Sequence, residues 1–357
     1  MQPVTCIHEY MNIEKFNYHL PPELIAQYPL KKRDQSRLLV INRATEEIIH
    51  TGFKNILDFF NPGDALVLNN TKVKPARIIG KIEKKEIDVL LVERIKKNCY
   101  WIKAKPLAKI KKVKKIVFDN GNIVANYIHH PHEYARVMLI LEFECKFDIE
   151  EKLEQIGMMP LPPYIKRKTE LSDKSRYQTI YAQKQGAIAA PTAGLHFSKQ
   201  ILMALNKKNI ETIYVTLHVG LGTFEPIRTN DISEHKMHKE DFEISAQTTE
   251  TIRKVKQQKS KICAVGTTVA RVLETVTQIQ NNQIKIIPQA ATTEIFIYPP
   301  YEFKACDMLI TNFHLPKSTL LMLVSAFAGR ELILKAYAEA VKEKYRFFSY
   351  GDCMLII

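Results

Sequence analysis

No two of the six cysteines, at positions 6, 99, 145, 263, 306 and 353, stand close enough for a CxxC motif. Isolated cysteines in a long chain read as reduced core thiols, and they argue against a four-cysteine zinc site or an iron–sulfur cluster. Long apolar runs are missing too. The longest, Leu320 to Phe327, falls well short of the roughly 20 residues a membrane helix needs. Met1-Gln2-Pro3-Val4-Thr5 has neither a basic start nor an apolar core, so no secretory leader and no membrane partner are expected, and the expected location is the cytoplasm. Glycine is sparse, at 12 in 357 residues, and nowhere forms the GxGxxG of a dinucleotide site or the fingerprint of a Rossmann methyltransferase.

What is present is a globular composition with a cationic surplus. Hydrophobic residues make up 46%, enough for a large core in one big domain or two ordinary ones. The formal net charge is +14, and most of it is concentrated. Between Arg77 and Lys115 stand fourteen Lys or Arg against Glu83, Glu86, Asp88 and Glu93. A clustered surplus is the footprint expected for a phosphate backbone, with Lys109, Lys111, Lys112, Lys114 and Lys115 as RNA contacts. The competing explanation is a well-solvated lysine-rich surface.

The periodicities divide the chain. Leu20 to Gln27 reads as a short helix stopped by Pro29, and Leu38–Ile41 and Asp64–Leu68 read as strands. From 76 to 148 the texture becomes strand after strand without a helix signal: 87–92, 101–105, 113–118, 123–128 and 137–143, with Asp119-Asn120-Gly121-Asn122 as a hairpin turn. Five short strands suggest a small β-barrel at 76–148, inserted into a larger domain of residues 1–75 plus 149–357. That larger domain reads as α+β or mixed α/β, a mixed sheet with helices. Asp148 and Ser198 cap helices, Ile262–Val265 is a buried strand turning through Gly266 into a helix, and Gly329 separates two late helices.

Most candidate chemistry lies in turns after strands. Ala190-Pro-Thr-Ala-Gly-Leu-His196 offers small residues for ligand approach, with Thr192, Gly194 and His196 as contacts; a tight capped turn reads equally from spacing. His218-Val-Gly220-Leu-Gly222-Thr223 ends a strand. Gly266-Thr267-Thr268 offers backbone amides and hydroxyls to an anion, and Arg271 in the following helical turn either meets that anion, points to solvent or pairs with a carboxylate. His235 and His238 stand i and i+3, where they would share a helix face. Proton transfer suits them better than metal binding, since no carboxylate completes a metal pattern. Asn312, His314 and Lys317 form a polar loop beside apolar segments.

In order along the chain stand Leu20-Pro-Pro-Glu-Leu-Ile-Ala-Gln27, Asn69-Asn70-Thr71-Lys-Val73, Ala190-Pro-Thr-Ala-Gly-Leu-His196, Thr216-Leu-His-Val-Gly220, His235-Lys-Met-His238, Thr311-Asn-Phe-His-Leu-Pro-Lys-Ser318 and Tyr345-Arg-Phe-Phe-Ser-Tyr-Gly-Asp352. This series closely resembles the S-adenosylmethionine:tRNA ribosyltransferase-isomerase family of queuosine biosynthesis, from about Phe16 to the end, and most weakly in the basic insert. Two departures stand out: Leu221 where the family has a small residue, and Ala291-Thr-Thr-Glu294 where it more often has Gly-x-Thr-Asp.

The resemblance implies a tRNA partner bearing 7-aminomethyl-7-deazaguanine at the wobble position. It implies S-adenosylmethionine as co-substrate, giving up its ribosyl part, with no metal and a monomeric protein. Epoxyqueuosine-tRNA, adenine and methionine would be the products. The implied route removes a ribose C5′ proton acidified by the sulfonium, expels adenine, adds the aminomethyl nitrogen, and closes an epoxide as methionine leaves. A base, an acid and a grip on the methionine carboxylate are then required. His218, His235, His238 and His314 are the acid/base candidates, and Arg271 with Thr267 and Thr268 the carboxylate grip. Asn69, Asn70, Thr71, Arg77, Thr192, Gly194, His196, Gly220, Gly222, Thr223, Gly266, Asn312 and Lys317 complete the candidate substrate contacts. Two other classes compete: a non-catalytic RNA-binding protein on a small barrel, and a metal-dependent hydrolase using the histidines.

Overall fold

Leu38–Ile41, Ala65–Leu68, Ile262–Val265 and Met308–Ile310 are apolar and buried without alternation, the pattern of central strands covered on both faces. The computed structural model describes residues 11–130, 138–220, 227, 229–280 and 283–357. Along the chain the strands are β1 (Arg37–Ile41), β2 (Ile48–Gly52), β3 (Ala65–Asn69) and β4 (Thr71–Val73). Then come β5 (Arg77–Ile82), β6 (Lys85–Lys96), β7 (Cys99–Lys105), β8 (Lys115–Phe118), β9 (Ile123–Ile128) and β10 (Leu139–Glu144). The rest are β11 (Lys184–Ala187), β12 (Glu211–Leu217), β13 (Glu240–Ile244), β14 (Ile262–Val265), β15 (Thr277–Gln280), β16 (Gln283–Ile286), β17 (Gln289–Thr293), β18 (Met308–Asn312) and β19 (Cys353–Ile356).

Two compact units form: Met1–Thr71 with Thr179–Lys184 and Pro191–Ile357, and Lys72–Gln178 with Gln185–Ala190. The first holds a nine-stranded mixed sheet in the order β17-β13-β12-β3-β14-β18-β19-β1-β2. β12, β3, β14 and β18 run parallel, while β13 and β19 run antiparallel to their neighbours β12 and β18. The carboxyl ends of the four parallel strands therefore share one edge with the starts of β13, β19 and β1. That edge is where an open α/β sheet offers a ligand crevice. The helices resume as the sequence predicts: Ser198 Oγ accepts from Ile201 N–H, Ser318 Oγ accepts from Leu321 N–H, and Gly329 (φ 86°) parts helices Thr319–Ala328 and Arg330–Lys342.

The second unit closes a six-stranded antiparallel barrel, β10-β7-β6-β5-β8-β9. Its core joins Ile78, Val89, Ile102, Phe118 and Leu141 to Ile149 and Leu153 of the helix Ile149–Ile156. The unit consequently runs past residue 148, the limit expected from strand texture alone. β5 adds a sixth strand to the five read from sequence, and a helix, Leu107–Val113, interrupts the set where no helix signal was read.

The helix expected at Leu20–Gln27 is a single 3-10 turn, Pro22–Leu24. Backbone bonds to Phe347, from Phe347 N to Leu24 O at 2.8 Å and from Ala26 N to Phe347 O at 3.2 Å, hold the next residues extended instead. His235 and His238 share no helix face: the only turn there, Ile232–Glu234, ends before His235. Among the described residues five cysteines are free, and no helix is long and apolar enough to cross a membrane.

Candidate functional site: the polar edge of the nine-stranded sheet

Asn69 organises the edge. Fully buried at the end of β3, its Nδ2 donates to Leu217 O at 3.0 Å and Thr268 Oγ1 at 3.3 Å. Its Oδ1 accepts the N–H of Thr71 and of Leu217, each at 3.1 Å. One amide thus uses both donors and both acceptor positions to tie three sequence motifs together. Thr216 Oγ1 donates to Asn70 Oδ1 at 2.7 Å, a second tie between the same strands. Thr71 Oγ1 lies 2.7 Å from Nδ1 of His218, fixing that half-buried ring just beyond β12. Gly266, with φ 93°, turns β14 into the helix Thr267–Val276, and a Cβ there would touch Ala193 at 3.6 Å. The Ala190–His196 and Gly266–Thr268 motifs therefore meet. Gly194 is required by close approach, since a Cβ would sit 2.1 Å from Tyr181 Oη.

Arg271 is not directed to solvent. It is 3% exposed and ion-paired through Nη1 to Glu240, equally buried at the start of β13. Its Nε donates to Ile295 O at 3.2 Å, just past the Ala291–Glu294 departure, while its buried Nη2 has no hydrogen-bond partner. Glu240 Oε1 accepts Gly220 N–H at 3.1 Å, holding the chain that leaves His218. Removing two ions from water is repaid only by good pairing and hydrogen bonding, so this pair is costly to break from either side. Glu240 was not among the residues singled out from sequence. It lies 31 positions from Arg271 and carries no local motif.

Other expected residues separate from this group. His196 is buried in a relay: Nδ1 is 2.8 Å from Ser36 Oγ, and Nε2 is 3.2 Å from Asn312 Nδ2. Burial pushes its pKa down to about 3. His314 is likewise buried, 2.9 Å from Thr311 Oγ1, and burial lowers it to about 3. Both rings are neutral near pH 7 and packed as braces. Lys317 pairs with Glu14 at 2.6 Å on the surface. His235 packs edge-on to Phe296 at 5.3 Å, and burial, then the charge of His238, lowers its pKa. Thr192 is half-buried in the turn before His196. Arg77 belongs to the barrel, where its Nε and Nη2 donate to the two carboxylate oxygens of Asp88. Lys111, Lys112, Lys114 and Lys115 are exposed on the barrel unit. Lys109 sits in the helix Leu107–Val113, and its side chain, like Gly222, Thr223 and Leu221, lies outside the described residues. Among the described residues no group of three His, Cys, Asp or Glu is arranged to hold a metal.

Comparisons with known proteins show the family. A family model described as queuosine biosynthesis protein matches residues 13–356. The S-adenosylmethionine:tRNA ribosyltransferase-isomerase of Sulfurihydrogenibium sp. is 51% identical over 97% of this chain and all of its own length. The one from Halothermothrix orenii is 50% identical over the same shares. The crystal structure of S-adenosylmethionine tRNA ribosyltransferase from Thermotoga maritima matches with a TM-score of 0.55 and 36% identity, covering 96% of this chain and 100% of that one. The chain therefore belongs to the queuosine biosynthesis protein family, among the S-adenosylmethionine:tRNA ribosyltransferase-isomerases.

Proposed function

We propose that the protein transfers and isomerises the ribosyl part of S-adenosylmethionine onto 7-aminomethyl-7-deazaguanine at the tRNA wobble position, releasing adenine and methionine. One observation carries the assignment of roles. A half-buried histidine anchored by Thr71 stands on the same sheet edge as a buried Glu240–Arg271 pair with an unused guanidinium N–H. The orphaned Nη2 fits a carboxylate oxygen such as that of methionine, since a buried donor without an acceptor costs about 1–3 kcal/mol. Thr267 and Thr268 lie at the start of the same helix, where backbone N–H groups favour an anion.

Of the four histidines, His218 is the acid/base group this geometry favours. His314 has its ring against Thr311 and is held neutral. His235 and His238 lie beyond the Ile232–Glu234 turn, outside any helix, and serve as a second pair of proton carriers. Glu240 positions both Arg271 and the chain at Gly220. The protein acts in the cytoplasm as a monomer, with no metal in the reaction. The exposed lysines of the barrel unit hold the RNA.

One assay tests the reading: protein, S-adenosylmethionine and tRNA carrying the modified base are mixed, and adenine is measured. RNA binding without adenine would leave an RNA-binding protein. Activity lost to a chelator, with zinc bound in equal amount, would favour the hydrolase.

A further inference from the structure

A second group of cations stands on the same sheet edge. From the Gly266 turn at the end of β14, the next strands are β18, β19 and β1. At about 4.8 Å per strand, the start of β1 is about 14 Å away, within reach of a few nucleotides. Asp352, just before β19, accepts the main-chain N–H of Arg37 at 2.9 Å and of Arg346 at 2.8 Å. This buried carboxylate fixes where both arginines leave the backbone. The Arg37 guanidinium lies 3.6 Å from the centre of the Tyr345 ring and donates to Glu343 O at 2.6 Å. Arg346 donates to Tyr28 O, and its buried Nη1 has no hydrogen-bond partner. Arg33 donates to Leu195 O at 3.1 Å, beside His196.

Residues 28–37 and 342–346 together carry seven Lys or Arg, against Asp34, Glu343 and the neighbouring buried Asp352. Like charges gathered this way repel unless an anion joins them. Guanidinium groups suit phosphate oxygens through paired N–H bonds, and the unused Nη1 of Arg346 is a donor already stripped of water. Tyr28, 51% exposed, stands next to these charges, its carbonyl oxygen accepting from Arg346. Cations spread along an edge beside a half-exposed tyrosine match single-stranded RNA, whose phosphates recur and whose bases stack on aromatics.

We propose that Arg33, Arg37, Arg346 and Tyr28 form an RNA subsite on the larger unit. The arginines hold backbone phosphates flanking the modified nucleotide, and Tyr28 stacks on a neighbouring base. This rests on the tRNA reading above and extends it to a surface apart from the basic barrel lysines.

The test is binding of an anticodon stem–loop RNA, followed by fluorescence anisotropy without S-adenosylmethionine. Arg33→Gln and Arg346→Gln should each weaken binding about tenfold and flatten the log K against log salt slope by about 0.7. Tyr28→Ala should weaken binding roughly tenfold with the slope unchanged. Methylphosphonate linkages flanking the wobble nucleotide should weaken binding to the unsubstituted protein and cost Arg33→Gln little more, which a merely structural arginine would not produce. Thermal melting checks that each variant folds; if Arg346→Gln does not, the other two decide. Unchanged affinity and salt slope in folded Arg33→Gln, with full affinity in Tyr28→Ala, would overturn the subsite. So would binding of an acidic peptide in preference to the RNA. Absent adenine release by the unsubstituted protein, with these RNA effects intact, would instead strike the proposed reaction.

Discussion

At the polar edge of the nine-stranded sheet, charge and hydrogen-bonding groups are buried and specifically partnered: Asn69 is fully buried, and Arg271 and Glu240 are each 3% exposed. On the barrel unit the surplus charge is exposed, as in Lys111, Lys112, Lys114 and Lys115, and its outermost ion pairs face solvent. Lys115 and Glu144 stand 3.9 Å apart at 64% and 51% exposure. Burial raises the cost of an unpaired group and strengthens every aligned one, so the first region suits chemistry at fixed distances. Exposure keeps long side chains hydrated and adaptable, which suits a polyanion recognised by its charge.

The largest expected break in this comparison is at His218. His218→Ala should slow adenine release by about 10²- to 10⁴-fold, the usual worth of a positioned proton-transfer group. Single-turnover release with saturating tRNA measures it, and a rate near that of the unsubstituted protein would remove His218 from the chemistry. Next, Glu240→Ala strands a buried guanidinium charge and should cost about 3–5 kcal/mol in denaturant unfolding, with weakened S-adenosylmethionine binding. The matched loss on the barrel, Glu144→Ala, should cost about 0–1 kcal/mol. Equal costs would erase the distinction between the regions.

The buried histidines give the sheet edge a pH dependence. The folded pKa of His196 and of His314 is about 3, below an unfolded value of about 6.5. The unfolded chain therefore takes up protons that the native state refuses. Their contribution is fully present above about pH 6.5 and is lost as pH falls from there toward 3. The slope is about 1.4 kcal/mol per pH unit for each histidine. Unfolding between pH 6.5 and 5 measures it, and His196→Gln should remove its share.

The motifs at the edge were legible as motifs, because turns after strands announce themselves through Gly, Thr and Asn at β-strand ends. The strand-by-strand pairing was not. Asn69, Leu217 and Thr268 meet only because β12, β3 and β14 lie side by side, a non-local fact. Burial was hidden as well: His196 and His218 look alike in sequence, and only packing makes one a neutral brace and the other a half-exposed ring. In the barrel the hairpin at Asp119–Asn122 was visible from turn chemistry, and Asp119, Asn120 and Gly121 do take positive φ. The helix Leu107–Val113 escaped because it spans seven residues after Pro106, too short for a helical period to emerge from its lysines.

A smaller effect separates the charges. Glutamate at Lys109, Lys111, Lys112, Lys114 and Lys115 together should weaken tRNA binding at least about tenfold and flatten its salt slope by roughly 0.7–0.9 per lost contact. S-adenosylmethionine binding should be unchanged. Filter binding across a salt series decides it, and an unchanged slope would return these lysines to an ordinary solvated surface.

The smallest contrast is between two glycines needed for opposite reasons. Gly121 in the barrel hairpin has φ 106° and open space where a Cβ would go. Gly121→Ala should cost only the backbone term, about 1 kcal/mol. At the sheet edge, the Gly194 position is closed by neighbours: the added Cβ would meet Tyr181 Oη at 2.1 Å and Thr179 Cγ2 at 2.8 Å. Gly194→Ala should cost about 1–3 kcal/mol through overpacking, because Tyr181 is itself buried in the core. A second substitution, Tyr181→Phe, removes the clashing hydroxyl. It should restore part of the stability of Gly194→Ala and none of that of Gly121→Ala. If relief appears at both glycines or at neither, the close approach of Tyr181 is not what makes Gly194 necessary.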